Sequence, residues 1–232
     1  MRVEIKKYVA AIDDAWPLEG PVYEFGSYQV QGQEGFADLR PLFPGKVYVG
    51  CDMRPGPGVD LVTDLTCLSV ESQTAGAALI LDTLEHVELL GPAIAEIHRV
   101  LKPGGVVLAS SVMNFPIHDY PSDFWRFTPE GFKSLFGTFA WVRVDALGDP
   151  LFPHTVVAVA KKDEAPTAEQ QMALAHALEE WKSNFLPPRK SPLRRFGRAI
   201  VPPIFLPLVR TLYVLWGKIT KNSGRNQTTK RA

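Results

Sequence analysis

Short apolar runs punctuate the first 110 residues and read as buried strands: Val22-Tyr23-Glu24-Phe25, Lys46-Val47-Tyr48-Val49-Gly50, Val59-Asp60-Leu61-Val62, Ala77-Ala78-Leu79-Ile80-Leu81 and Val106-Val107-Leu108-Ala109. Between the first two, Phe36, Leu39, Leu42 and Phe43 stand at helical spacing and predict a helix within residues 32–43. Leu90, Ile94, Ile97 and Leu101 recur every three or four residues, the stripe of a helix packed on a sheet. Pro103-Gly104-Gly105 should end that helix, since proline cannot continue it and glycine permits positive φ. Thr128-Pro129-Glu130 offers an N-cap, a first-turn proline and a first-turn acid for a short helix to about Leu135. Residues 141–144 and 155–160 are apolar with no helical pattern between them, so they form an antiparallel pair; a parallel crossover needs a dozen or more residues. A last helix is predicted over residues 167–185 from Met172, Leu174, Ala175, Leu178 and Trp181, while residues 1–20 lack a clear period and read as a lead-in helix or cover segment.

Strand and helix alternation of this kind predicts an α/β fold with a Rossmann-like, mostly parallel sheet, an antiparallel final strand and helices on both faces. The expected organisation is a cover segment (1–20), a central domain (21–162) and a helical extension ending in a basic apolar tail (163–232). A chain of 232 residues with 46% apolar side chains can fill such a core.

The formal net charge of zero hides an asymmetry. Residues 182–232 hold twelve of the 25 Lys and Arg and no acid, leaving thirteen basic against all 25 acidic side chains in residues 1–181. Cations surround an apolar run at 199–216, which Pro202, Pro203, Pro207 and Arg210 interrupt, so it is too short and broken for a spanning helix of about 20 residues. Residues 189–225 are expected to lie on an anionic membrane surface, giving a cytoplasmic protein peripheral on the inner membrane face. Cys51 and Cys67 do not form a Cys-x-x-Cys pair, which argues against a disulfide scaffold or a zinc site, and no metal is expected. Charges break up the first residues, so no secretory signal is read there.

Polar groups that could do chemistry sit where the strands end. Glu24 and Gly26-Ser27 close the first strand, Asp52-Met53 the second, and Asp82-Thr83-Leu84-Glu85-His86-Val87 the fourth. Open α/β sheets bind nucleotides outside these carboxyl ends, where glycine admits a close approach and an acid accepts from ribose hydroxyls. After the fifth strand, the segment from Asn114 to Thr128 is rich in aromatic residues and carries His118 and Asp119.

Together with Leu101-Lys102-Pro103-Gly104-Gly105, these signatures resemble, over residues 20–160, the class I S-adenosylmethionine-dependent methyltransferases (type 11-like). The resemblance implies S-adenosylmethionine as cofactor. Glu24, Gly26 and Ser27 would then cradle its methionine part, Asp52 its ribose, and Met53, Asp64 and Leu65 its adenine, while Asp82 and Glu85 line the site. The chain departs from the family's frequent Gly-x-Gly, having Gly26-Ser27-Tyr28 instead. His118 and Asp119 are the preferred bases, and His86 is a further candidate. The expected reaction is O-methylation of a sugar, a glycan or a small metabolite, with a lipid-linked glycan as the acceptor if the tail docks on a membrane. Two alternatives stand beside it: a nicotinamide-dependent oxidoreductase, which lacks its Gly-x-Gly-x-x-Gly here, and a non-catalytic adapter that binds a membrane through its tail. Nucleic acid is disfavoured as acceptor because the acidic body would repel phosphates.

Overall fold

The computed structural model describes residues 2–32, 34–119 and 121–185. The tail, and with it residues 189–225 that were expected on a membrane surface, lies outside the described residues. Among the described residues no helix is long and apolar enough to cross a membrane.

Seven strands, β1 (Val22–Phe25), β2 (Tyr48–Asp52), β3 (Leu61–Val62), β4 (Ala75–Leu81), β5 (Leu101–Val112), β6 (Trp141–Asp149) and β7 (Phe152–Lys161), form one sheet in the order β3-β2-β1-β4-β5-β7-β6. Pairing is parallel from β3 to β5, and β7 runs antiparallel to both β5 and β6. The register sets Phe25 beside Cys51 and Ile80, and Leu81 beside Ser110, so four strands finish almost level. Strand order reverses at β1 and β4, the switch point at which such sheets open a crevice.

Both faces of the sheet are covered. On one, α2 (Leu90–Val100) and α3 (Pro129–Leu135) bury Ile94, Ile97, Phe132 and Phe136 against Ile80, Ala109 and Val156. Thr128 Oγ1 accepts from Gly131 N, and Phe127 stacks on Phe132 at 5.2 Å, the hydrophobic staple of a capped helix start. On the other face lie α1 (Val3–Ala15) and α4 (Ala168–Phe185), which bury Ile5, Tyr8, Val9 and Ile12 with Leu174, Leu178 and Trp181 over Leu79, Leu108 and Val157. Ile5, Tyr8, Val9 and Ile12 recur at three- and four-residue intervals, a stripe the first residues do contain. Trp181 Nε1 donates to the Glu4 carbonyl at 2.7 Å, and the Tyr8 hydroxyl to that of Ala158 at 2.9 Å.

Two expectations need correction. The helix expected over residues 32–43 is reduced to a 3-10 turn at Arg40–Leu42. Gly32 and Gly35 take φ of 85° and 75°, which breaks helical backbone, and Pro41 opens the turn. Leu39 and Phe43 are nevertheless buried on the α1 face, so the apolar spacing served packing without a helix. Pro103-Gly104-Gly105 does not end α2, which stops at Val100; it forms a bulge within β5, between the Ala75–Leu101 and Ala77–Val106 pairs.

Candidate active site

Gly26 turns the chain off β1 at φ 90°, and its N–H and that of Ser27 both donate to the Cys51 carbonyl. A Cβ at Gly26 would lie 2.2 Å from Thr83 Oγ1, so only glycine lets the loops after β1 and β4 close together. Ser27 is buried and its hydroxyl has no partner among the described residues. Asp52 is buried at the end of β2, accepting from Arg54 N at 2.9 Å and Tyr28 N at 3.3 Å. Arg54 Nε also lies 3.5 Å from Oδ1; an ionised carboxylate has about four acceptor positions, so capacity remains for a ligand's hydroxyl.

Glu24 points away from open solvent: it is buried on the face that holds Tyr48, whose hydroxyl donates to it at 2.6 Å. Burial pushes its carboxyl up to about 7 despite that hydrogen bond and the nearby Arg40. Met53 is 70% exposed. Asp64 accepts from both Thr66 N and Thr66 Oγ1 at 2.8 Å and so shapes the turn after β3, beside Leu65, which packs on the core.

At the end of β4 the side chains divide. Asp82, at φ 50°, takes both arms of Arg2, from Nε at 3.0 Å and Nη2 at 2.7 Å, and also accepts from Ser110 Oγ. The same guanidinium donates to Thr155 Oγ1 on β7, so the start of α1 is pinned across the ends of three strands. Glu85, three residues on, is fully buried; one oxygen accepts from Ser111 Oγ at 2.7 Å and Oε1 has no partner. Burial, and then the charge of Asp82, push the Glu85 carboxyl well above the usual carboxylate range.

The segment after β5 folds back on this point. Phe124 N and Trp125 N donate to the Glu85 carbonyl, and Trp125 Nε1 to that of Val87. His86 and His118 meet edge to face, with ring centroids 4.7 Å apart. His118 is oriented by Asp123, whose Oδ2 accepts from His118 N at 2.8 Å and lies 3.3 Å from Nδ1. Arg126 grips Asp123 with two nitrogens and holds its carboxyl far below the usual range. Around the pair stand Phe115, Ile117, Phe124 and Trp125, all large and at least 40% exposed. Asp119 is exposed at φ 51°, and its carbonyl closes a turn to Ser122 N.

The structure thus brings His86, His118 and Glu85 together and sets Gly26 and Asp52 at neighbouring strand ends, whereas Asp82 is engaged by Arg2. Arg2, Thr83, Ser111 and the Asp123–Arg126 pair escaped the sequence reading. Their partners are distant in sequence, apart from Asp123-x-x-Arg126, whose opposite charges three apart were a local clue.

Residues 47–109 match the family model described as a methyltransferase domain. Among solved structures, a Thermotoga maritima S-adenosylmethionine-dependent methyltransferase described as a possible histamine N-methyltransferase is 17% identical, covering 69% of this chain and 92% of its own with a TM-score of 0.53. The Burkholderia thailandensis 1,6-didemethyltoxoflavin-N1-methyltransferase, solved with 1,6-didemethyltoxoflavin and S-adenosylhomocysteine, is 18% identical over 69% of this chain and 80% of its own, with a TM-score of 0.53. An Archaeoglobus fulgidus S-adenosylmethionine-dependent methyltransferase reaches 0.52 at 14% identity, over 68% of this chain and 94% of its own. This is the class I S-adenosylmethionine-dependent methyltransferase fold. Fold and domain match together give S-adenosylmethionine as the cofactor and methyl transfer as the reaction class. No curated protein matches the sequence.

The residues of this methyltransferase fold suit that cofactor on their own chemistry. Gly26 leaves room that a Cβ would fill, Ser27 offers a buried hydroxyl without a partner, and Asp52 keeps free acceptor positions.

Proposed function

We propose that the protein methylates an oxygen of a small polar acceptor, a sugar or a hydroxylated metabolite, seated against His118. The observation that carries this reading is the ring of exposed Phe115, Ile117, Phe124 and Trp125 around the His86–His118 pair, beside the ends of β4 and β5. Aromatic faces suit the apolar side of a sugar ring or another flat surface, while imidazole takes hydroxyl protons near neutral pH.

S-adenosylmethionine supplies a methyl group made electrophilic by its sulfonium, so the chain's own work is alignment and proton removal. Gly26 and Ser27 receive the amino-acid end, and Asp52 accepts from the ribose hydroxyls. The Nδ1 proton of His118 faces the Pro116 carbonyl at 3.3 Å, with Asp123 Oδ2 also 3.3 Å away, which leaves Nε2 as the nitrogen that meets the acceptor's proton. Arg126 fixes that carboxylate, and Trp125 shuts the loop over Val87.

Incubation of the purified protein with methyl-labelled S-adenosylmethionine and a small-molecule cell extract should yield a labelled product by mass spectrometry. His118→Ala should lower its rate of formation by about 100-fold, with cofactor affinity unchanged. Equal loss of cofactor affinity would instead make His118 a part of the cofactor pocket.

A further inference from the structure

The geometry points to a divalent metal site formed by Glu85, His86 and His118, suited to a first-row transition cation. One ligand atom from each residue lies within 4.8 Å of the other two. The three atoms are therefore at most about 2.8 Å from a common centre, and small side-chain rotations reach the 2.0 to 2.2 Å of imidazole and carboxylate ligands.

Three further observations prepare these groups for an ion. Glu85 is fully buried and its Oε1 has no hydrogen-bond partner among the described residues, a cost that a bound cation removes. His86 presents Nδ1 to the Ser122 carbonyl at 2.6 Å, so the proton sits there and the Nε2 lone pair is free. His118 presents Nδ1 to Asp123 Oδ2 at 3.3 Å and the Pro116 carbonyl at 3.3 Å, with the same result. Imidazoles oriented through their other nitrogen by a carbonyl or a carboxylate are the usual outer support of a metal ligand. The expectation of no metal rested on the spacing of two cysteines, and this cluster uses neither.

Two imidazoles and one carboxylate leave coordination positions open, and the exposed Phe115 ring meets His118 edge to face with centroids 5.1 Å apart. An acceptor with a hydroxyl, or with two adjacent oxygens, would fit there and lose its proton to solvent water more readily beside the ion; with the ion bound the His118 Nε2 lone pair is a ligand, and the proton-acceptor role of His118 belongs to the ion-free site. That clause rests on the methyl-transfer reading; the metal site itself does not.

The test is titration of the tag-free full chain with Co²⁺, followed by visible ligand-field absorption, with Zn²⁺ as competitor. One saturable equivalent is expected. His86→Ala and His118→Ala should each weaken it by at least about tenfold, and His176→Ala, on the exposed side of α4, should leave it unchanged. Glu85→Gln should weaken it likewise, and if that variant does not fold, the two histidine variants decide, with circular dichroism confirming their fold. Absence of saturable binding at millimolar Co²⁺, or equal affinity in wild type and both histidine variants, overturns the site. Either result would leave the labelled-methyl experiment untouched, with His118 acting as a proton acceptor without an ion.

Discussion

Thr83 Oγ1 stands 2.2 Å from where a side chain at Gly26 would begin, so the loops leaving β1 and β4 are locked together by the absence of one methyl group. Gly26→Ala would suffer that overlap and a φ of 90° that alanine rarely adopts. We expect it to destabilise the fold by about 2–4 kcal/mol in urea unfolding. Adding Thr83→Ala should recover the steric part and leave about 1–3 kcal/mol of backbone strain. Full recovery in the double variant would mean that φ at residue 26 carries no cost.

Asp52 splits its carboxylate between the N–H groups of Tyr28 and Arg54 and a free side. Asp52→Ala should weaken S-adenosylmethionine binding by about 1.5–3 kcal/mol, the scale of hydrogen bonds to a charged group. Calorimetry with S-adenosylhomocysteine measures this directly, and unchanged affinity would remove the ribose assignment.

Arg2 and Asp82 form a two-armed, partly buried pair across 80 residues. A double-mutant cycle with Arg2→Ala and Asp82→Asn should give a coupling energy of about 1–3 kcal/mol in unfolding experiments. Exposed ion pairs give only about 0.2–1 kcal/mol. A coupling in that lower range would show that this pair adds little to the apolar stripe and the Tyr8 and Trp181 hydrogen bonds that hold α1.

Glu24 predicts a pH dependence. Its carboxyl titrates at about 7 in the fold against 4.5 for an unburied glutamate, because burial disfavours the charge. The folded chain therefore holds a proton that the unfolded chain has already released between these values, and stability falls as pH rises through that window. The loss amounts to roughly 3 kcal/mol at 1.36 kcal/mol per decade. Glu24→Gln cannot release that proton, so its unfolding free energy should fall less than that of wild type between pH 5 and pH 8, by this amount. Parallel curves for the two proteins would place the titration elsewhere.

Much of the sheet was legible because its strands announce themselves locally: Val47-Tyr48-Val49 led to Asp52, and the run ending at Leu81 led to the Asp82–His86 segment. Residues 32–43 were misread because Phe36, Leu39, Leu42 and Phe43 satisfied a helical spacing, although Gly32, Gly35 and Pro41 were there to break it. The site was only partly legible. Glu85, His86 and His118 could be nominated one by one, but 31 residues lie between His86 and His118, and only the fold shows that the two rings touch. No local pattern could have assigned Asp82 to Arg2, since neither residue has a neighbour that signals the other.

The cover of the sheet face that α1 occupies is completed by material from far along the chain. Trp181 meets Glu4 across 177 residues. At ribosomal speeds of about 5–20 residues per second, the first helix is made roughly 10–35 seconds before the one that covers it. During that interval Ile5, Tyr8, Val9 and Ile12 have no α4 to close over them. A premature stop before α4 should therefore yield insoluble product even though every strand of the sheet has been synthesised.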